Sequence, residues 1–497
     1  MARYILGLDQ GTTRTKAMVF DHNAKLISSA SNEVARYFPQ TGWVEQDSNE
    51  LWNACQQVIG EALQNGRVSP EEIEAIGIAN QTATTLFWNK HSGKPVGRAI
   101  VWQDRRTIPL YEQLAAKFAE EIKSRTGLEF TPNCTALRIR WLMENDKSIQ
   151  KGLAGGELLC GTIESWLIWK ISAGSVHVTD LSNAGVTLLV NVHTLNYDDW
   201  ILQELAIPRD ILPQIRTSSE IYTYTHPDNF FGVSVPIAGA VLDHSSSVIS
   251  CGCLQSGMAK ITFGTGSSIV LNTGDKLVDS IKGVASAVIW AASGEAVYGL
   301  VGWTDVSGSA IQWLRDGLGI IAEYREAEGL ASQVPDTQGV YFVPAFYGMG
   351  APYFDPYSRG TIFGITSGTT RHHIARAALE AMVYQVRSFF DIMKSISGVE
   401  VEKICVDGIS VQGEFLAQFL ADILGIAIDK QANTDIGVLG AAFLAGLATG
   451  YWESIDEVAA CIPKFRRFEP RISPEERDDL YQGWLEAVKR TVGWLKR

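Results

Sequence analysis

Tyr4-Ile5-Leu6-Gly7-Leu8-Asp9-Gln10-Gly11-Thr12-Thr13-Arg14-Thr15-Lys16-Ala17-Met18-Val19-Phe20 places two short apolar runs on either side of a polar turn that carries one glycine. Runs of this length flanking such a turn read as a β-hairpin. Gly11 allows close backbone approach, and successive N–H groups with the Thr12 and Thr13 hydroxyls can cradle phosphate oxygens. Asp9, at the end of the first run, can hold a hydrated Mg²⁺ over such phosphates. A plain hairpin turn closed by an Asx-type bond fits the same residues.

Outward from the hairpin, a third strand is expected over 25–34. Helix spacing follows over 47–64, with Leu51, Ala54, Cys55, Val58 and Ala62 on one face and Asp47-Ser48 as the cap. Strand character returns over 73–78. Continued alternation of strands and helices favours an α/β architecture with mixed sheets. About half a chain further on the hairpin signal recurs: 258–263 leads into Gly264-Thr265-Gly266-Ser267-Ser268, then the apolar Ile269-Val270-Leu271. Two similar halves are therefore expected, 1–250 and 251–497, packed across a cleft with no Pro/Ser-rich linker between them. No Gly-Lys-[Ser/Thr] ends either turn, so neither is a P-loop.

Composition narrows the partners. The chain has 497 residues, 46% hydrophobic, with 14 Trp, which excludes disorder. Lys+Arg 42 against Asp+Glu 55 leaves a net charge of −13. That balance supplies no basic footprint for nucleic acid or an anionic membrane. Seven cysteines make no disulfide framework, and Cys251 and Cys253 have no second Cys/His pair nearby to complete a zinc site. No secretory leader is legible at Met1–Gly7. The Gly/Ala-rich stretch 437–451 is shorter than the ~20 residues of a spanning helix and reads as buried. A cytoplasmic location is expected.

Four further polar clusters follow apolar runs. Asp243, after 235–242, is a candidate general base for a hydroxyl. His244 beside it need not share the site, because neighbours on a strand point to opposite faces. An Asp capping the next helix is the other reading. Asn80-Gln81-Thr82-Ala83-Thr84-Thr85 and Trp102-Gln103-Asp104-Arg105-Arg106 end strands where ligand loops tend to lie, with Trp102 as an apolar wall; solvated turns would look the same. Val406-Asp407-Gly408 is a third strand-to-glycine turn. Trp141 and Trp313 read as core.

With these residues in hand, the chain resembles the FGGY carbohydrate kinases, nearest their glycerol kinase branch. The resemblance is carried by 8–13 and 263–266 as two phosphate turns and by 99–104, 161–170 and 339–346 continuing through 350–353. It is completed by 360–365 with 373–380. It implies two ribonuclease-H-like domains of the actin/sugar-kinase type with ATP and Mg²⁺ in the cleft between them. The implied reaction is transfer of the γ-phosphoryl group to a primary hydroxyl of a small polyol or sugar. Asp243 is implied as general base, and Asp9 with Asp243 as the carboxylates around Mg²⁺. Thr12, Thr13, Arg14, Gly264 and Thr265 are implied around the phosphates, Gly408 beside the adenosine, and a dimer or tetramer as the assembly.

The substrate residues depart from that pattern. Thr82-Ala83 stand where glycerol kinases carry Arg-Glu, Asn133 where they carry Tyr, and His244 where they carry Gln. With Trp102 and Asp243 kept, the loss of these groups predicts a different and larger acceptor than glycerol. Glycerol itself, or a silent ATP-binding sensor, are the alternatives. Gly408-Ile409-Ser410 replaces the usual Gly-Gly-Ala, so the adenine pocket is expected to differ in shape.

Overall fold

The computed structural model describes residues 3–408, 410–411, 413–431, 436–463 and 465–496. The opening hairpin forms as read, with β1 (Tyr4–Gln10) antiparallel to β2 (Arg14–Phe20) and β2 to β3 (Leu26–Glu33). On its other side β1 runs parallel to β4 (Ile73–Asn80), and β4 to β5 (Pro236–Leu242). The helix Ser48–Gly66 starts at the Asp47 cap, whose carboxylate accepts from the Asn49 N–H at 2.8 Å, and it buries the five residues expected on its apolar face.

The same order is built again from the second half. β6 (Met258–Phe263) pairs antiparallel with β7 (Ser267–Gly274), and β7 with β8 (Glu295–Thr304). β9 (Lys403–Asp407) lies parallel to β6, and β10 (Ile428–Lys430) parallel to β9. Both five-strand units thus read third-second-first-fourth-fifth, the ribonuclease-H-like order. They are edge-joined into one 13-stranded sheet through the parallel bridge Ser219–Ala292.

A glycine belt lets the second half pack on the first. The register sets Gly7 level with Gly77, and Gly77 level with Gly239. Over these three strands lies the helix Leu439–Thr449, the buried element expected within 437–451. A Cβ on Gly77 would strike the Ala441 backbone, one on Gly239 the backbone of Ala441 and Ala445, and one on Gly7 the Val438 side chain. Hydrogen bonds from the Gly440 N–H to Ser250 Oγ (2.8 Å) and from the Ala441 N–H to Ser246 Oγ (2.9 Å) fix the same helix to Asp243–Ser250.

All seven cysteines are free thiols, Cys251 and Cys253 being buried. Trp141 and Trp313 are only half-buried, each packed against a core cluster. Among the described residues no helix is long and apolar enough to cross a membrane.

Candidate active site

The parallel block β1-β4-β5 delivers its strand ends to one edge. Asp9 is level with Ala79, and Ala79 with Val241. With ~4.8 Å between neighbouring strands, the ends of β1 and β5 lie roughly 10 Å apart. Asp9, the 80–85 loop and Asp243 therefore emerge at the carboxyl edge of the sheet, where open α/β folds hold ligands.

A cavity of about 610 Å³ opens there, and Thr12, Thr82, Ala83, Trp102, Asn133, Asp243 and His244 all line it. Asp243 is the first residue of the helix Asp243–Ser250, not a continuation of β5. The strand alternation that would send Asp243 and His244 apart consequently ends at Leu242, and both face the same cavity. Asp243 Oδ1 accepts from the Thr82 hydroxyl at 3.3 Å and from the His244 N–H at 2.7 Å.

Three buried side chains hold the loops in place: Gln81, within a cluster the sequence pointed to, and Gln46 and Arg138, which it did not single out. Gln81 donates through Nε2 to Gln10 Oε1 (2.9 Å) and Gln46 Oε1 (2.8 Å), while Gln46 donates to the Thr12 carbonyl (2.9 Å). This ties the first glycine turn to the 80–85 loop. Trp102 completes the join: its indole N–H donates to Thr12 Oγ1 at 2.9 Å. Arg138, on the helix Thr135–Asn145, is fully buried and donates to the carbonyls of Ala83 (2.7 Å), Trp102 (2.8 Å) and Asn133. Each of its three acceptors belongs to a residue that lines the cavity. Burial pushes its pKa down to about 10, which leaves it cationic at neutral pH. Ala83 sits at φ +54°, and its carbonyl accepts from the Thr135 hydroxyl at 3.1 Å as well as from Arg138.

The second turn lies on the other unit. The Ser410 N–H donates to the Phe263 carbonyl (3.1 Å) and its hydroxyl to that of Gly264 (3.3 Å), seating the Gly408 turn on 263–264. Gly408 has φ +115°, and a Cβ there would collide with the Phe263 backbone. Beneath it Lys260, buried, donates to Asp407 Oδ1 at 2.8 Å. Ile409 falls outside the described residues. Asp9, Thr13, Arg14, Gly264, Thr265 and Gly408 are not in the cavity lining. Asp9 lies near the end of β1, and Thr13 and Arg14 follow Thr12, which lines the cavity; Gly264 and Thr265 shortly precede Ser268, which also lines it, and the Gly408 turn sits on 263–264. Thr13, Arg14 and Thr265 are exposed, and Arg14 lies 3.5 Å from Glu33.

The donor chemistry fits a nucleotide with its metal. The exposed hydroxyls of Thr13 and Thr265 stand on the two glycine turns as donors for an anion, while the Gly11 and Gly264 N–H groups close the turns themselves on the Arg14 and Gly266 carbonyls (3.0 and 2.9 Å). No cluster of three or more His, Cys, Asp or Glu able to cage a metal occurs among the described residues. Mg²⁺ needs no such cage, since it keeps waters and takes one or two carboxylates plus substrate phosphates.

A model of the FGGY family of carbohydrate kinases, N-terminal domain, matches residues 4–250, and that of the C-terminal domain matches 259–449. The chain belongs to the FGGY family of carbohydrate kinases. It is accordingly an ATP-dependent carbohydrate or polyol kinase that works with Mg²⁺. It is 46% identical over 496 residues to glycerol kinase 2 of Thermotoga maritima, covering 100% of both chains. Against the crystal structure of Plasmodium falciparum glycerol kinase with ADP it has a TM-score of 0.93 at 30% identity, with 98% of each chain covered. The xylulose kinase of Rhodospirillum rubrum shares the fold, with a TM-score of 0.87 at 21% identity and coverage of 98% of this chain and 99% of that one.

Proposed function

We propose that the chain transfers the γ-phosphoryl group of ATP to a primary hydroxyl of a small polyol or sugar other than glycerol. The observation that carries this reading is at 82–83: Thr82 and Ala83, uncharged, line the 610 Å³ cavity with Asn133, His244 and Asp243, and the lining's other charged side chains are Arg105 and Glu129, the latter paired with Lys123 at 2.8 Å. Asp243 takes the proton of the attacking hydroxyl, a role worth roughly 10²–10⁴-fold in rate. Thr82 holds that carboxylate from one side. Thr12, Thr13, Arg14, Gly264 and Thr265 bind and orient the triphosphate, Asp9 with Asp243 takes the metal's water shell, and Gly408 lets the nucleoside approach the backbone. When bound, Mg²⁺ neutralises charge on the transferring group. The units 1–250 and 251–497 act as the two jaws of the site, and the working assembly is a homo-oligomer.

Glycerol is the second reading, favoured by the 46% identity to glycerol kinase 2 of Thermotoga maritima. A coupled ADP-release screen across C3 to C6 polyols and ketoses separates the two. The proposal expects the highest kcat/KM with a larger acceptor. Glycerol at the head of the series would overturn it, and no turnover with any of them would point to an ATP-binding sensor.

A further inference from the structure

The volume around Asp243 lies within the roughly 300–1,000 Å³ that accommodates drug-sized ligands, and its two ends differ in chemistry. The hydroxyl-reading end is made by Thr82 and Asn133 on loops of the first half and by Asp243 and His244 at the start of a helix; the first half also lends the lining Thr131, Arg105 and Glu129, the last paired with Lys123. The facing wall belongs to the second half. Ser268 on β7 is directly opposite Trp303 on β8, and Val270 is opposite Val301. Cross-strand partners and residues two apart share a sheet face, so these four side chains stand together, and all four line the cavity. Ser268 is too small to cover its neighbour, and Trp303 remains 50% exposed although it sits in a wall. Ala285, Ala287 and Ile289 extend that wall. Ser268 is its only hydroxyl among the described residues.

A polyol hydroxylated along its whole length would press hydroxyls against this aliphatic and indole surface, and each one left without a partner is costly. We infer that the acceptor is amphipathic, with its hydroxyls confined to one end and an alkyl or aryl group at the other. The hydroxyl end meets Thr82 and Asp243, and the apolar end lies on Trp303, Val270 and Val301. Trp303 is then a specificity-determining residue contributed by the half that also carries the second glycine turn. The assignment of the hydroxyl end rests on the kinase reading above; the apolar end stands on the wall itself.

The test is a ligand series on the intact protein with a non-hydrolysable ATP analogue present. Glycerol, xylitol, and 3-methoxy-, 3-propoxy- and 3-phenoxypropane-1,2-diol are titrated by calorimetry, and the same compounds are run with ATP in the ADP-release assay. Affinity is expected to rise about fourfold for each added methylene, leaving the phenoxy diol at least about tenfold tighter than glycerol. Trp303→Ala should erase most of that gain and Trp303→Phe keep most of it. A flat or falling series on the unmodified protein overturns the inference, as does a full gain in Trp303→Ala. Should Trp303→Ala fail to fold, the unmodified series still decides. Tight binding of the aryl diol with no ADP from any compound would leave the amphipathic site standing and remove the kinase reading instead.

Discussion

Burying the Arg138 guanidinium costs solvation, which its bonds to the Ala83, Trp102 and Asn133 carbonyls offset. Each such bond to a charged group is worth about 1.5–3 kcal/mol, and removing the side chain leaves its buried acceptors unmet. Arg138→Ala is expected to lower unfolding free energy by roughly 3 kcal/mol or more. Because Arg138 bonds the acceptor loops directly and reaches the first glycine turn only through Trp102, kcat/KM for the acceptor should fall at least about tenfold while KM for ATP shifts about twofold or less. Arg138→Lys should recover part of the loss. An equal effect on both substrates would identify a merely structural residue. None of this was legible in the chain, where Arg138 is one cation on a helix whose apolar stripe runs Ala136, Leu137, Ile139 and Leu142. Asp243 was legible as a strand-end carboxylate, yet its partnership with His244 was obscured by placing both on a strand.

Among the elements, those with strong periodicity read most directly from sequence. The helix Ser48–Gly66 announced its cap and its buried face, and the opening hairpin announced its turn. The glycine belt was invisible because Gly7, Gly77 and Gly239 become neighbours only once three distant strands are set in register. A helix lying on bare backbone cannot be inferred from any one of those strands. At the same scale, the strand Leu158–Thr162 is held from beside by His177, whose Nε2 hydrogen-bonds the Cys160 carbonyl at 3.1 Å and whose ring meets Trp88 edge-on at 5.2 Å. Burial pushes the His177 pKa down to about 4. Between that value and about 6.5 the unfolded chain binds the extra proton, so this contribution is complete above about pH 6.5 and is lost as the pH falls towards 4. The expected loss is roughly 2–3 kcal/mol, read as the difference in urea unfolding between pH 7 and pH 4.5. His177→Gln should shrink that difference, and an undiminished difference would place the acid sensitivity elsewhere.

For the molecule as a whole, the recurrence of one hairpin half a chain apart was enough to anticipate a doubled architecture. It did not convey that the two strand sets meet edge to edge through Ser219 and Ala292, or that a helix of the second half covers the sheet of the first. Those are long-range pairings that local pattern cannot encode. Both glycine turns matter here because the doubled fold brings Thr12, on the first, and Ser268, just after the second, into the lining of one cavity that Asp243 also lines. The most direct measurement of that arrangement is ADP release and ATP binding by Asp243→Asn beside the unmodified protein, each with its preferred acceptor. The account predicts turnover reduced about 10³-fold with the dissociation constant for ATP changed about threefold or less. Turnover retained in Asp243→Asn, or nucleotide binding lost with it, would contradict the role given to this carboxylate.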